Sequence, residues 1–452
     1  SDTSVNRFKV NDSVLESLRC FQVQEGETVK DKMDELYERA KGIIGVEARK
    51  DVTFATDLFF NTPLEFYLNK RKERAYLDVM VIGDPRTGKS QAAKKLLDLY
   101  ELGIITSLKT ATKAGLIGGS DQTAGGWKTK LGLIPRNHRG AVIMEEFSGG
   151  GPDVIPKLTE VRSSNKVRIT RVNGTTVVPA MVRMLSISNP ITTSGGTSLP
   201  IRNYANGIKV LLDLIGASED IARYDFFLLV DEPDEYTSPL ASYEQEPFPK
   251  ESYQNRVRWV WSRKPEQIHI EREVESHIWN TSQELNKVYD SHIKLFGPEA
   301  WKKLARISIA TAGMLASMDE TGEKLVVKKE HVDWAKGFMV ACYDNSIFKL
   351  REYVEGHRRL THCDEGTIAA LEGMYRNHPI MLNQLEMETE MSQRQLQMVS
   401  GLDQKEFGKV INQLAKYMFF QFQGEKIVPT QKFRIAMSRI DRNTYMPKVG
   451  EY

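Results

Sequence analysis

The stretch VMVIGDPRTGKSQ, from Val79 to Gln91, sets residue types suited to phosphate chemistry at a fixed spacing. Gly83 is followed, after four intervening residues, by Gly88, Lys89 and Ser90, the GxxxxGK[ST] pattern of a loop that wraps phosphates between a strand and a helix. The backbone of Gly83, Asp84, Pro85, Arg86, Thr87, Gly88, Lys89, Ser90 and Gln91 would surround the anion at a helix N-terminus, where the dipole favours negative charge. Lys89 would reach the β- and γ-phosphates of ATP, and the Ser90 hydroxyl would ligate Mg2+. A Gly-rich turn that binds nothing is the bland alternative. It is weakened by the buried-strand run LDVMVI before the loop and the helical spacing of QAAKKLLDLY after it.

Such a loop needs carboxylates carried in on another strand. GAVIMEEF, Gly140 to Phe147, offers apolar residues followed by Glu145 and Glu146. Glu145 can hold the metal shell while Glu146 polarises the attacking water. MVRMLSISNP, from Met181, ends in Asn189, whose amide can orient that water; a plain Asn-Pro turn closing a strand is the other reading. ARYDFFLLVDEP, from Ala222, carries Arg223 just before its apolar run. From that edge Arg223 is placed to enter a neighbouring subunit's site and neutralise transition-state charge, or else to pair with Asp225.

The elements that must position these residues belong to a chain of 452 residues, long enough for roughly two or three domains. Its 40% hydrophobic and 27% charged residues describe an ordinary globular protein, and no apolar run approaches membrane-spanning length. With 62 basic against 60 acidic residues, global charge gives no argument for nucleic acid, so DNA contact must come from local placement. Cys20, Cys342 and Cys363 are too scattered for a disulfide framework or a zinc ribbon, and they fit a reducing, cytoplasmic setting. The cluster Lys70-Arg71-Lys72 reads as a solvated loop before a strand. KVRITRVNGTTVV, Lys166 to Val178, alternates about an Asn173-Gly174 turn and reads as a β-hairpin.

In order along the chain, GDPRTGKSQ, KAGLIGGSDQTAGGWKTKLGLIPRNHRGAVIMEEF, SISNP and ARYDFFLLVDEPDE resemble the AAA+ motor of minichromosome maintenance (MCM) helicases. RAKGIIGVEARKDVTF, from Arg39, resembles the segment that precedes the motor and packs against adenine, which makes Ile44 a cofactor contact. RVRWVWSRKPEQIHIEREVESHI, from Arg256, resembles the start of the family's helical lid. Such a lid supplies a second arginine to the nucleotide, for which Arg306 is the candidate. The resemblance implies a homo-oligomeric ring, a hexamer, around single- or double-stranded DNA in a central channel. Two insertions would act on the DNA backbone, through Lys128 and Lys130 in the first and Arg168 and Arg171 in the second. It also implies loader or other replication proteins as partners. Departures are Gly88 where the family usually has Ala, Glu145 where it usually has Asp, and a short stretch before the motor. A compact member, as in a mobile element or virus, or a fragment would account for the last.

The expected architecture is therefore an α/β AAA+ P-loop ATPase of three layers with a parallel sheet, a helical lid and a C-terminal winged-helix domain. The expected bounds are a short segment over 1–37, the ATPase domain over 38–235, the lid over 236–355 and the winged helix over 356–452. The winged helix rests on GTIAALEGMYRNHP, a helix ended by Pro379, then a helix, a turn at Gly401, a longer helix over Asp403–Met418 and a hairpin about Gly424. Two other functions fit the same residues: a protein-remodelling or DNA-loading ATPase, and a nucleotide-switched DNA-binding initiator.

Overall fold

Thr28 and Asp31 cap each other reciprocally, side chain to backbone, and so open helix α1, Val29–Ile44. Helix α2, Lys50–Phe60, is mostly apolar and largely buried. The computed structural model describes residues 5, 7–45, 49–123, 126–150, 154–171, 174–191, 199–232 and 245–440. Lys70-Arg71-Lys72, read from sequence as a loop, instead turns and begins the second strand of a short hairpin, Glu65–Leu68 with Arg71–Arg74. Asn69 and Lys70 take the positive φ that such a tight connection requires.

The central sheet follows. Strand β1, Asp78–Gly83, leads into helix α3, Lys89–Tyr100, and strand β2, Ile104–Ser107. A hairpin of β3, Gly118–Thr123, and β4, Gly126–Leu131, precedes strand β5, Ala141–Glu145. Helix α4, Val154–Ser164, leads into a second hairpin, β6, Lys166–Arg171, with β7, Gly174–Pro179. Strands β8, Arg183–Ser188, and β9, Phe226–Val230, complete the set. The sheet order is β9-β1-β8-β5-β2, every pair parallel. β1, β8 and β9 are buried at every residue, which explains why their sequences do not alternate: both faces are covered. Helix α2 packs across these same three strands.

Helices α5, Lys250–Ser262, α6, Arg272–Tyr289, α7, Ala300–Met314, and α8, Lys329–Tyr343, follow, and they share one compact unit with the sheet, Ser1–Arg351. The chain divides at Glu352, inside helix α9, Leu350–Thr361. The boundary expected at 355/356 thus falls within a helix. The one expected at 37/38 falls inside α1, which its mutual cap and buried Met33, Leu36 and Ala40 make a single element. The lid's expected start at 236 lies outside the described residues.

The second unit contains helix α10, Glu365–Asn377, helix α11, Pro379–Met387, strand β10, Met391–Ser392, helix α12, Gln393–Ser400, and helix α13, Gln404–Lys416. A hairpin of β11, Phe420–Gln423, and β12, Lys426–Pro429, and helix α14, Gln431–Arg439, end it. Pro379 does more than stop α10. Lacking an N–H, it suits the first position of α11, a helix absent from the sequence reading. Leu371, Leu382, Leu396, Leu414, Ile427 and Phe433 meet in a core of this unit's own.

Candidate active site

Because the sheet is parallel, the C-terminal ends of its strands line one edge, and Gly83, Glu145, Ser188 and Val230 all stand there. At Gly83 a Cβ would lie 2.1 Å from the Val230 carbonyl oxygen, so strand packing alone demands glycine. Gly88 has φ 79°, a left-handed conformation that a side chain would strain. Helix α3 starts on the next residue with no side-chain cap, which leaves its first N–H groups available to an anion.

Lys89 is 6% exposed. Its ammonium donates to the Gly83 carbonyl at 2.9 Å, the Asp84 carbonyl at 2.5 Å and the Thr87 hydroxyl at 3.0 Å. Burial lowers its pKa to about 8 against the opposing charge of Asp84, and Arg49 pushes the same way as burial. A buried cation held by neutral oxygens alone is short of counter-charge, and a phosphate in the loop would supply it. The residues therefore fit a nucleotide phosphate.

Several residues expected at the nucleotide also hold the loop in place. The Asp84 carboxylate accepts the Ile201 N–H at 2.9 Å. The Gln91 amide donates to the Ile44 carbonyl at 3.0 Å and so ties α3 to the end of α1. Ile44 itself is 2% exposed, its side chain packed into the core. Pro85 and Arg86 are exposed on the loop's crest, and Arg86 is left-handed at φ 63°. Ser90 is half-buried in the first turn of α3.

The register sets Glu145 level with Ile187 and, one strand further, Val81, about 10 Å from β1 across the intervening strand. Its carboxylate is 3.0 Å from the Lys94 ammonium of α3, a pairing the sequence reading missed. Glu146 is exposed, accepts a hydrogen bond from the Ser107 hydroxyl and has φ 52°, a rare conformation for a residue with a side chain. Magnesium keeps most of its shell as water and phosphate, so a hydroxyl such as Ser90 and a carboxylate such as Glu145 are the donor types that would hold it. Asn189 is exposed just past β8; Ser188 beside it accepts the Ser148 N–H at 3.1 Å and donates to the Asn189 carbonyl at 2.9 Å.

Arg223 and Arg306 stand at the other end of the sheet. Arg223 precedes β9, is exposed, and none of the described residues pairs with its guanidinium. Arg306, expected beside the nucleotide, donates from Nε to Asp225 at 2.6 Å. Asp225 lies at the start of β9, about 16 Å of strand from Val230, so Arg306 does not meet the loop of its own chain. The physical reason is charge. Asp225 is fully buried, and also accepts from Arg74 at 3.0 Å and from the Asp78 backbone at 2.7 Å. Burial would raise its pKa, but Arg306 and Arg74 hold it low, while burial pushes Asp78 up despite Arg74. Arg74, Arg162, Arg223, Lys302, Lys303 and Arg306 line one cleft here. Burial lowers Lys303 to about 7. Arg162 lies 4.3 Å over the Tyr224 ring with its Nε and one terminal nitrogen unpartnered among the described residues. An acid opening an apolar strand, as Asp225 does, was the sequence signal that cations must meet it.

The two hairpins stand together. A Cβ on Gly118 would lie 2.8 Å from the Ile169 side chain, so β3 packs directly on β6. Val167 and Ile169 are buried, while Lys166, Arg168 and Thr170 face outward, and Lys130 is exposed on β4. The side chains of Lys128 and Arg171, and the whole of Asn173, lie outside the described residues.

Residues 25–239 match the family model of the MCM P-loop domain. The Rattus norvegicus protein named DNA helicase MCM8 is 25% identical over 167 residues, 36% of this chain and 19% of that protein. The Anopheles gambiae DNA replication licensing factor Mcm6 is 26% identical over 165 residues, with the same coverage of 36% and 19%. The Arabidopsis thaliana DNA replication licensing factor MCM4 is 26% identical over 167 residues, again 36% of this chain and 19% of that protein. The chain spans about a fifth of the length of these curated relatives.

Proposed function

We propose, on the premise that this chain belongs to the MCM family by its P-loop domain, that it is an ATP-driven DNA helicase of replication acting as a homo-oligomeric ring of six copies. One observation carries this reading. The phosphate loop and the exposed Arg223, unpaired among the described residues, occupy opposite ends of one parallel sheet, so a site needing both is built between copies.

In that site Lys89 exchanges its neutral oxygens for phosphate oxygens, and the α3 N-terminus adds N–H donors. Mg2+, held by Ser90 and Glu145, would draw charge from the β- and γ-phosphate oxygens when bound. Glu146 accepts the proton of the attacking water, and Asn189 orients that water. Arg223 of the next copy meets the charge that develops on the transferred group, with the cationic cleft behind it and Arg306 anchored to Asp225.

The hairpins carry the work to DNA. Lys128, Lys130, Arg168 and Arg171 meet backbone phosphates in the channel, contacts that hold without reading sequence. The packing of Ile169 on Gly118 supports movement of the hairpins as one body. In the C-terminal unit, a helix, a short strand, two helices and a hairpin with sheet order β10-β12-β11 support a winged helix. Loading or other replication proteins would be partners of the assembled ring.

Strand displacement on a forked DNA with ATP tests the reading, comparing wild type, Lys89→Ala and Arg171→Ala. Wild type should unwind and both variants should fail. Unwinding by Arg171→Ala equal to wild type would overturn the channel model, and ATP hydrolysis with no unwinding by any form would point to a remodelling ATPase.

A further inference from the structure

The C-terminal unit keeps its densest positive charge away from α13, the helix that a winged helix would lay in a DNA groove. On α13 the lysines 405, 409 and 416 are offset by Glu406 and by the capping Asp403. Helix α14 instead carries Lys432, Arg434 and Arg439 and no acid. Where α14 meets the last turn of α9 there is an open pocket, lined by Arg358, Arg359, His362, Lys432 and Arg439.

Lys432 is 7% exposed, and no described residue forms an ion pair or hydrogen bond with its ammonium. The acid lining the pocket is Asp364, whose carboxylate accepts the Thr367 N–H at 2.7 Å as the cap of α10. Hydrogen bonds to Thr367 hold its pKa low, and Lys432 adds only a smaller through-space contribution. Arg439 donates to the Cys363 carbonyl at 3.4 Å, which leaves most of its donors for another acceptor. An anion in the pocket would give Lys432 a counter-charge that no described carboxylate supplies by direct contact. An ammonium beside guanidinium forks suits the several acceptor oxygens of a phosphate.

We infer that this pocket grips a phosphate of a nucleic-acid backbone, so that the C-terminal unit holds DNA by its α9–α14 face rather than by α13. The exposed Arg358, Arg359 and Arg439 at the rim suit a chain that continues past the pocket. This goes beyond the channel contacts proposed above and does not require ATP turnover.

The test is fluorescence anisotropy of a labelled oligo-dT with the full chain, without nucleotide, across a salt series. Lys432→Met and Arg439→Gln should each weaken binding about fivefold and flatten the log–log salt slope by about 0.7 per lost phosphate contact. Lys409→Gln on α13 should change neither, and DNA-free ATP turnover should be the same in all forms. Arg439 is exposed, so its variant reads the site even where Lys432→Met loses stability in a thermal melt. Affinity and slope unchanged in Arg439→Gln, or lowered only in Lys409→Gln, would overturn the inference. So would stabilisation by inorganic phosphate that both variants lose while oligo-dT affinity stays intact, which marks a free-phosphate site. Equal competition by poly-glutamate of matched charge would also overturn it, in favour of an acidic protein partner.

Discussion

The state of Lys89 makes nucleotide binding a proton-linked event. Its ordinary pKa is 10.5, and burial among neutral oxygens brings it to about 8. A bound phosphate restores the missing counter-charge and returns the pKa above the working range. At about pH 8.5 roughly 0.76 of the lysines lack their proton, so binding of ADP should take up about 0.76 proton per site. At about pH 7 the uptake should fall to about 0.09. ADP is fully ionised at the higher pH and contributes no proton of its own. Affinity should weaken about fourfold between these two values, the cost of charging the lysine. Isothermal titration in two buffers of different ionisation enthalpy reads the proton count directly. Without nucleotide, unfolding takes up a proton in the window between the lowered and ordinary values, so stability rises with pH through it. Buffer-independent enthalpy at pH about 8.5, with affinity flat from pH about 7, would refute the reasoning that Lys89 waits in a neutral cage.

Other consequences follow from the same geometry. Asp225→Asn leaves Arg306 without its buried carboxylate and Arg74 with Asp78 alone, and should cost about 3–5 kcal/mol in urea denaturation of the first unit. Gly88→Ala, the family's usual residue in this chain's left-handed position, should cost about 1–2 kcal/mol and weaken ADP binding; an unchanged urea midpoint would show that the loop relaxes freely. Gly118→Val drives a side chain against the Lys130 carbonyl and Ile169, parting the hairpins. It should abolish DNA stimulation of ATP turnover and leave basal turnover intact, and retained stimulation would sever hairpin packing from coupling.

Local chemistry was legible in the sequence wherever it was carried by neighbours in the chain. Gly83, Gly88, Lys89 and Ser90 sit together because a strand, a turn and a helix follow directly on one another. The alternation of Val167 and Ile169 against Lys166 and Arg168 likewise marks its own hairpin. What pairs across the fold was not legible. Arg74, Asp78, Asp225 and Arg306 form one network only because β9 lies beside β1 and α7 packs near its start, and no spacing rule expresses that. Arg306 shows this: nothing near it in the sequence announces the buried acid, Asp225, that holds it. The same holds for Glu145, whose Lys94 partner comes from a neighbouring layer, and for Gln91, which clasps the Ile44 carbonyl.

The central claim is that one copy's loop and the next copy's Arg223 share a site. Its most direct measurement is ATP turnover in an equimolar mixture of Lys89→Ala and Arg223→Ala chains, each inactive alone. Random assembly into rings would leave about a quarter of the interfaces with an intact Lys89 facing an intact Arg223, so about a quarter of wild-type turnover should return. A mixture as inactive as its components, under conditions where subunits exchange, would contradict the account.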